Sequence, residues 1–334
     1  MLNIHDCAVR DGRIVLVKDT ISRIATKLDE GAQPIVIGSM RILVALMWLA
    51  NVHWKVPPNF GEDTGGGLFK YSLSVTRNSP FAPFTWVTEE IILPNFQLFG
   101  WFTLIVEILL PLLLLIGYKT KLVSLGGVAI AIPIFLSVIY YDRADEWSWA
   151  YFLMIGAHLL LYASDAGKFM GLDGVLEKGR SAQERSLVAM GAVGAVVGAL
   201  GLFVARSVDF AGDQVKLLGS DAGFNDGDNL VRRWEMKFLW FNPLWAILTI
   251  AFGILLIVGA KRIAAAYAGA AGFALIAIVI FFMQTFDYVR APDGSVQTIG
   301  TGSNVAVWGA LALGAVLVAR RIQSRENEHV DSSR

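Results

Sequence analysis

Cysteine is almost absent from this sequence: Cys7 is the only one in 334 residues. An internal disulfide, a Cys-pair redox relay, a multi-thiolate zinc site and an iron–sulfur cluster held by this chain alone are therefore excluded. Charge is scarce too, with Asp, Glu, Lys and Arg at 17% of residues, and it is balanced at 28 basic against 28 acidic side chains. That balance gives no footprint for nucleic acid or another polyanion. There are four histidines; His5 and His329 lie near the termini and His53 at the edge of the first apolar run, so none can join His158 as a bis-histidine haem ligand across a bundle. An apolar h-region is missing from Met1–Gln33, so no cleaved signal peptide is expected and the first apolar run serves as the insertion signal.

What the chain has in excess is apolar sequence: 55% of residues are hydrophobic and the mean hydropathy is +0.56. A soluble fold cannot hide that much apolar surface. A bilayer-spanning helix needs about 20 mainly apolar residues. Runs of that kind recur at about 35–54, 91–117, 122–141, 147–163, 187–205, 239–259, 263–286 and 305–319. Lipid offers the backbone no hydrogen-bond partner, and the runs are too long and uniform for barrel strands, so they are helices. The expected fold class is all-α, a polytopic transmembrane bundle of about eight spans in two four-helix halves.

Eight spans place both termini on one side of the membrane. Of the 28 basic residues, 17 fall on that side, mostly in short segments beside helix ends, 10 fall on the other, and Arg41 lies inside the first span. The positive-inside rule then predicts cytoplasmic termini and outward-facing loops at 55–90 and 206–238. The expected organisation is a cytoplasmic N-terminal segment (1–34), a first bundle (35–165), a cytoplasmic linker (166–186), a second four-helix region (187–320) and a cytoplasmic tail (321–334). Within the N-terminal segment Val17, Ile21, Ile24, Ala25 and Leu28 recur at helical spacing among basic residues, which suits an interfacial helix or a soluble helix packed on a neighbour. The second half is apolar and small: Gly191, Gly194, Gly198 and Gly201 line one run, with Gly194 and Gly198 in GxxxG spacing, a pattern for close helix packing in lipid.

Every ionisable residue well inside a span belongs to the first half. Arg41 and His158 come out roughly 10 Å from the cytoplasmic helix ends and Glu107 roughly 15 Å, within reach of long side chains. A lone charge at the bilayer centre costs at least about 2.5–3.5 kcal/mol, so an Arg41–Glu107 pair is the expected compensation, either as a packing device or as a binding or proton-handling site. Pro111 cannot donate to the carbonyl of Glu107, so a kink and a freed acceptor are expected there. His158 shares a helical face with Tyr151, Met154 and Tyr162, a potential aromatic wall with a titratable group, or a hydrogen-bonded packing histidine. Arg41, Trp48 and Lys55 fall seven apart with Asn51 beside them, a polar stripe that either lines an outward-opening cavity or merely faces the interior with Lys55 snorkelling. The candidate ligand-binding residues are thus Arg41, Trp48, Glu107, Tyr151, His158 and Tyr162; no catalytic residue and no metal site emerges.

The first outer loop carries Phe60, Phe69, Tyr71, Phe81, Phe84 and Trp86 among glycines and prolines, and is expected to fold back on the bundle as a cap. The second holds Asp221, Asn225, Asp226, Asp228 and Asn229, but without the spacing or closing Glu of an EF-hand, so a solvated turn is expected.

Three stretches carry a family resemblance: the arginine-bearing "RILVALMW", the "SPFAPFTWVTEEIILPN" leading into the second span, and "EILLPLLLLIGYKTKLVSLGGVAIA" joining the second and third. Over about 35–165 the chain resembles the DoxX/DoxD family of small four-helix membrane proteins. The resemblance implies a membrane component of quinone-linked redox chemistry, since DoxD-type members are similar to the large subunit of a thiosulfate:quinone oxidoreductase and DoxX-type members accompany respiratory or redox-defence proteins. It maps the family arginine and glutamate onto Arg41 and Glu107. The expected function is an integral subunit of the prokaryotic inner membrane that acts with partner proteins. The alternatives are a small-solute or proton transporter and a purely structural accessory subunit. No residue set here stores electrons, so a bound quinone or a partner's cofactor is implied. Membrane lipid, other membrane or respiratory subunits and a second copy of the chain are the expected partners.

Overall fold

The structure, a computed structural model, describes residues 15–52, 55, 57–63, 65–139, 148–211, 215–218, 238–284, 288–290, 296–298 and 301–332. Cys7, His5, His53 and the acidic stretch at 221–229 lie outside them. The described chain is dominated by helices: α1 (Val15–Val52), α2 (Gly67–Asn78), α3 (Ala82–Val87), α4 (Phe96–Ile116), α5 (Thr120–Ile139), α6 (Ser148–Ala163), α7 (Leu172–Glu177), α8 (Arg180–Val204), α9 (Pro243–Gly259), α10 (Ile263–Gln284) and α11 (Thr301–Ser332). Two short antiparallel hairpins accompany them, β1 (Val215–Leu218) with β2 (Phe238–Phe241) and β3 (Tyr288–Arg290) with β4 (Val296–Thr298). The sequence periodicity does not foretell either hairpin.

Among the described residues, six helical segments are long and apolar enough to cross a bilayer, within α1, α3–α4, α5, α8, α10 and α11. The other two expected spans are the shorter apolar helices 149–163 and 243–259, in α6 and α9. At 1.5 Å per residue these reach only about 25 Å, short of a roughly 30 Å hydrocarbon core. The multi-pass helical bundle therefore stands, with six full-length spans and two short ones among the described residues.

Several boundaries move for local reasons. The amphipathic stretch before the first span is not a separate helix but the start of α1, which continues through Pro34. The helical segment that carries the second span begins at Ala82, ahead of Ile91, and its regular α-helical part, α4, at Phe96. Before it the chain turns through α3, a wide π turn at Thr88–Ile92 and a 3-10 turn at Leu93–Asn95 containing Pro94. Pro111 lies buried inside α4, which remains one helix through it. Gly117 ends α4 in the left-handed conformation, φ +65°, which a glycine adopts without penalty.

Packing follows the chain. α1 lies on α4 and α6, α5 on α6, and α8 through α11 pack in succession, with α11 also against α4 and α8. One core collects Val44, Ala45, Trp48, Leu110, Leu114, Met154 and Leu161 from the first bundle. The other runs from Leu49, Leu104, Ile108 and Leu112 across to Leu187, Leu256, Phe273 and Trp308. α4 thus feeds both cores and is the shared wall of the molecule. The glycine face of α8 meets α9 closely: a Cβ on Gly253 would lie 2.6 Å from the Ala195 nitrogen and 2.6 Å from the Gly191 oxygen. The glycines act as the GxxxG spacing predicts, by letting two backbones touch.

The described part of the 55–90 loop folds back on the bundle as expected. Phe60, 1% exposed, stands edge-on to Trp101 and against Gly100, Phe69 stands edge-on to Phe96, and Tyr71 is buried in the first core. Phe81 and Trp86 instead face outward, at 49% and 59% exposure.

Candidate functional site

The stripe on α1 is where the polar interior is built. Positions 41, 48 and 51 fall on one face of α1, and Lys55 follows three residues past its end. The Arg41 guanidinium, fully buried, donates to the carbonyls of Leu114, Leu115 and Met170, the last two at 3.0 and 2.8 Å. It therefore closes the C-terminal end of α4, where helix carbonyls lack partners and carry partial negative charge. A side chain on Gly117 would come within 2.5 Å of Arg41 Nη1, so this glycine also makes room for the guanidinium.

The expected Arg41–Glu107 pair does not form. Glu107, fully buried, pairs with Lys55 at 2.7 Å, and both side chains are almost wholly shielded. The reason is geometric. α1 and α4 run antiparallel, so Arg41 is level with the end of α4, whereas Glu107 lies two turns, about 10 Å, further along, level with Asn51 and Lys55. The arginine takes the carbonyls beside it and leaves the carboxylate to the lysine. The signal for Lys55 was present in the sequence, seven residues beyond Trp48, but snorkelling was an equally good reading there.

Around the ion pair lies a compact network. The Asn51 amide nitrogen approaches Glu107 Oε1 at 3.4 Å, its side-chain oxygen accepts from the Tyr151 hydroxyl at 3.2 Å, and Lys55 also donates to the Asn51 carbonyl at 2.8 Å. Asn51 had not been singled out for a role of its own; its place on the stripe is the only sequence signal for it.

These groups form one end of a cavity of about 350 Å³. Lys55, Glu107 and Tyr151 line it together with Ser72, Thr88, Thr103 and Ser137, and the remaining wall is aliphatic and aromatic, from α2, α3, the π turn, α4 and α5. The volume is at the lower end of the roughly 300–1,000 Å³ usual for small-molecule pockets, and a mainly apolar wall with few converging polar groups is their usual character.

The remaining candidates are elsewhere. His158 is buried, and its Nε2 accepts from the Trp48 indole at 2.7 Å, so the ring carries no proton there; Nδ1 has no hydrogen-bond partner among the described residues. It sits directly over Gly127, where any side chain would collide with it. Neither Trp48 nor His158 lines the cavity. Tyr162 is 41% exposed, with Lys121 Nζ 5.8 Å from its ring centre, and faces away from the site. Of the six residues selected from sequence, the structure brings Glu107 and Tyr151 to the cavity, pairs Trp48 with His158 behind it, and sets Arg41 and Tyr162 apart.

At the opposite end of the bundle, Asp173 accepts from the backbone nitrogens of Lys119 and Thr120 at 2.7 and 2.9 Å and so caps α5. Asp165 pairs with Lys121 at 2.8 Å, and that hydrogen bond holds its carboxyl below the usual carboxylate range. Lys261, Glu184, Arg180 and Glu326 join the ends of α8, α10 and α11 through contacts of 2.6–2.9 Å. The short loops rich in lysine and arginine thus share one face, and the cavity lies toward the other.

Long apolar helices in antiparallel succession around a buried polar network define a multi-pass helical membrane protein. Residues 37–200, the first half of the chain, match the family model described as TQO small subunit DoxD. That match bears out the DoxX/DoxD resemblance and extends it past Asp165, through the linker and most of α8. It also corrects one implication, because the family description names the small subunit where the resemblance pointed to the large one. No curated protein and no solved structure matches the chain.

Proposed function

We propose that this chain is the membrane subunit of a quinone-linked oxidoreductase of the prokaryotic inner membrane, and that its first bundle holds the quinone in the cavity above Lys55 and Glu107. The DoxD match supports the class, and the cavity is the observation that carries the site. Quinone sites need an apolar space for ring and tail and one or two polar groups for the carbonyl oxygens. The Lys55 ammonium, with three protons, is the donor group beside the cavity, and Glu107, paired with Lys55, is a carboxylate able to hold or pass a proton there. When bound, a quinone supplies the electron-carrying chemistry for which the chain has no group of its own. The apolar wall keeps water from the ion pair and strengthens its field. Electrons come from a partner protein, consistent with a subunit role.

The test is quinone retention. Purified protein in lipid nanodiscs is extracted and the bound quinone measured in the native chain, in Thr103→Trp, which fills the cavity, and in His158→Phe, which changes a side chain outside it. Quinone is expected in the native chain and in His158→Phe and is expected to be lost in Thr103→Trp. A native content no higher than that of a control membrane protein overturns the reading and leaves a scaffold whose polar groups only satisfy one another.

A further inference from the structure

The walls of the cavity are unequal. On α5, Ile130, Pro133, Ile134 and Ser137 line it at spacings of three, one and three, so one face of that helix is turned to the cavity. On α4, Phe99, Phe102, Thr103 and Glu107 do the same. α5 finds its main packing on α6 instead of α4. Where the two splayed helices meet the surface, Phe102 both lines the cavity and is 55% exposed, and Ile130 and Ile134 opposite are half-buried. Phe102 lies six residues inside α4 and Ile134 five residues inside α5, so they are roughly 9 and 7.5 Å from the first end of α4 and the last end of α5. Both helices belong to full-length membrane spans. The opening between them therefore faces hydrocarbon, at matching depth on both sides.

Size points the same way. A cavity of about 350 Å³ accommodates a ring-sized head group and leaves no space for a long hydrocarbon tail. A tailed ligand whose head reaches Lys55 and Glu107 must therefore leave its tail in the bilayer.

We infer that the gap between α4 and α5, bounded by Phe102 and Ile134, is a lateral portal through which the cavity takes amphipathic ligands from the lipid phase and not from water. The proposed function supplies the ligand's identity; the portal rests on the helix geometry alone.

Labelling of a thiol inside the cavity separates the two. In a Cys7→Ser background reconstituted in vesicles, Ser137→Cys is exposed to a membrane-partitioned pyrenyl maleimide and to a sulfonated, membrane-impermeant maleimide. The pyrenyl reagent is expected to react faster by about tenfold or more, and adding Ile134→Trp to slow it by about tenfold, a barrier change of roughly 1.4 kcal/mol. Labelling of Leu98→Cys, on the outer surface of α4, is expected to be unaffected by Ile134→Trp. If Ser137→Cys does not fold, Thr103→Cys gives the same readout from the facing helix. Equal or faster labelling by the sulfonated reagent, or no effect of Ile134→Trp, overturns the portal. Protection of the introduced thiol by a short-chain quinone bears on the ligand separately: labelling from lipid without protection keeps the portal and removes the quinone.

Discussion

At the scale of single residues, two cations, Arg41 within α1 and Lys55 just past its end, are used in opposite ways. Arg41 has a planar fork of donors and closes three backbone carbonyls, a task for which a point charge is a poor substitute. Arg41→Met leaves those buried acceptors without their donor and is expected to lower stability by about 2–4 kcal/mol, with Arg41→Lys recovering only part. Lys55 compensates a buried carboxylate. Removing either member of that pair strands the other, at a cost of about 3–5 kcal/mol, while Lys55→Met with Glu107→Leu is milder, so the two couple by more than about 1 kcal/mol. Arg41→Met and Glu107→Gln, which share no partner, are expected to add within about 0.5 kcal/mol. Denaturation of the purified variants in detergent measures all of these, and strong coupling between Arg41 and Glu107 would contradict the geometry. That intramembrane charges must be compensated was legible in the sequence. Which charge compensates which was not, because the level of each side chain depends on how far α1 and α4 slide past one another.

At the scale of elements, the molecule separates close helix contacts from loose ones. The α8–α9 crossing leaves no room for a side chain, and Gly253→Ala is expected to force the helices apart at a cost of about 1–3 kcal/mol. Gly156 on α6 provides the contrast, since a Cβ there meets nothing within 4 Å. Gly156→Ala is expected to be neutral or to gain about 0.5–1 kcal/mol through helix propensity. Thermal unfolding in nanodiscs compares the two, and equal losses would mean that the α8–α9 glycines are not the packing contact. The glycine periodicity identified this helix face from sequence, whereas its partner helix came only from the fold. The splay of α4 from α5 is the opposite case: the faces that line the cavity are apolar like every other membrane-facing stripe, so no periodicity announces a gap.

At the scale of the whole molecule, α4 is the common wall, contributing Leu110 and Leu114 to one core and Ile108 and Leu112 to the other. The basic short loops share a face; the positive-inside rule predicts that this face is cytoplasmic, and the cavity is then expected on the outward side. A membrane-impermeant thiol reagent is expected to label Cys7 in inside-out vesicles and not in intact cells. Labelling in intact cells reverses the orientation and moves the cavity to the cytoplasmic side without changing the helix packing.

Sequence by itself determined that this chain is a helical membrane protein, roughly where its spans run, which of them carry buried charge, and that the first half is of the DoxX/DoxD kind. These are properties of composition and of local period, set by the length of apolar run a bilayer demands and by the cost of a bare charge in lipid. Tertiary structure alone decided that Lys55 and not Arg41 answers Glu107, that His158 turns to Trp48 outside the cavity lining, and that α5 packs mainly on α6 and not on α4. Each of these depends on the relative height and tilt of helices far apart in the chain, and in a medium where every apolar surface is equally comfortable, only the few polar contacts and close glycine crossings select among the possible arrangements.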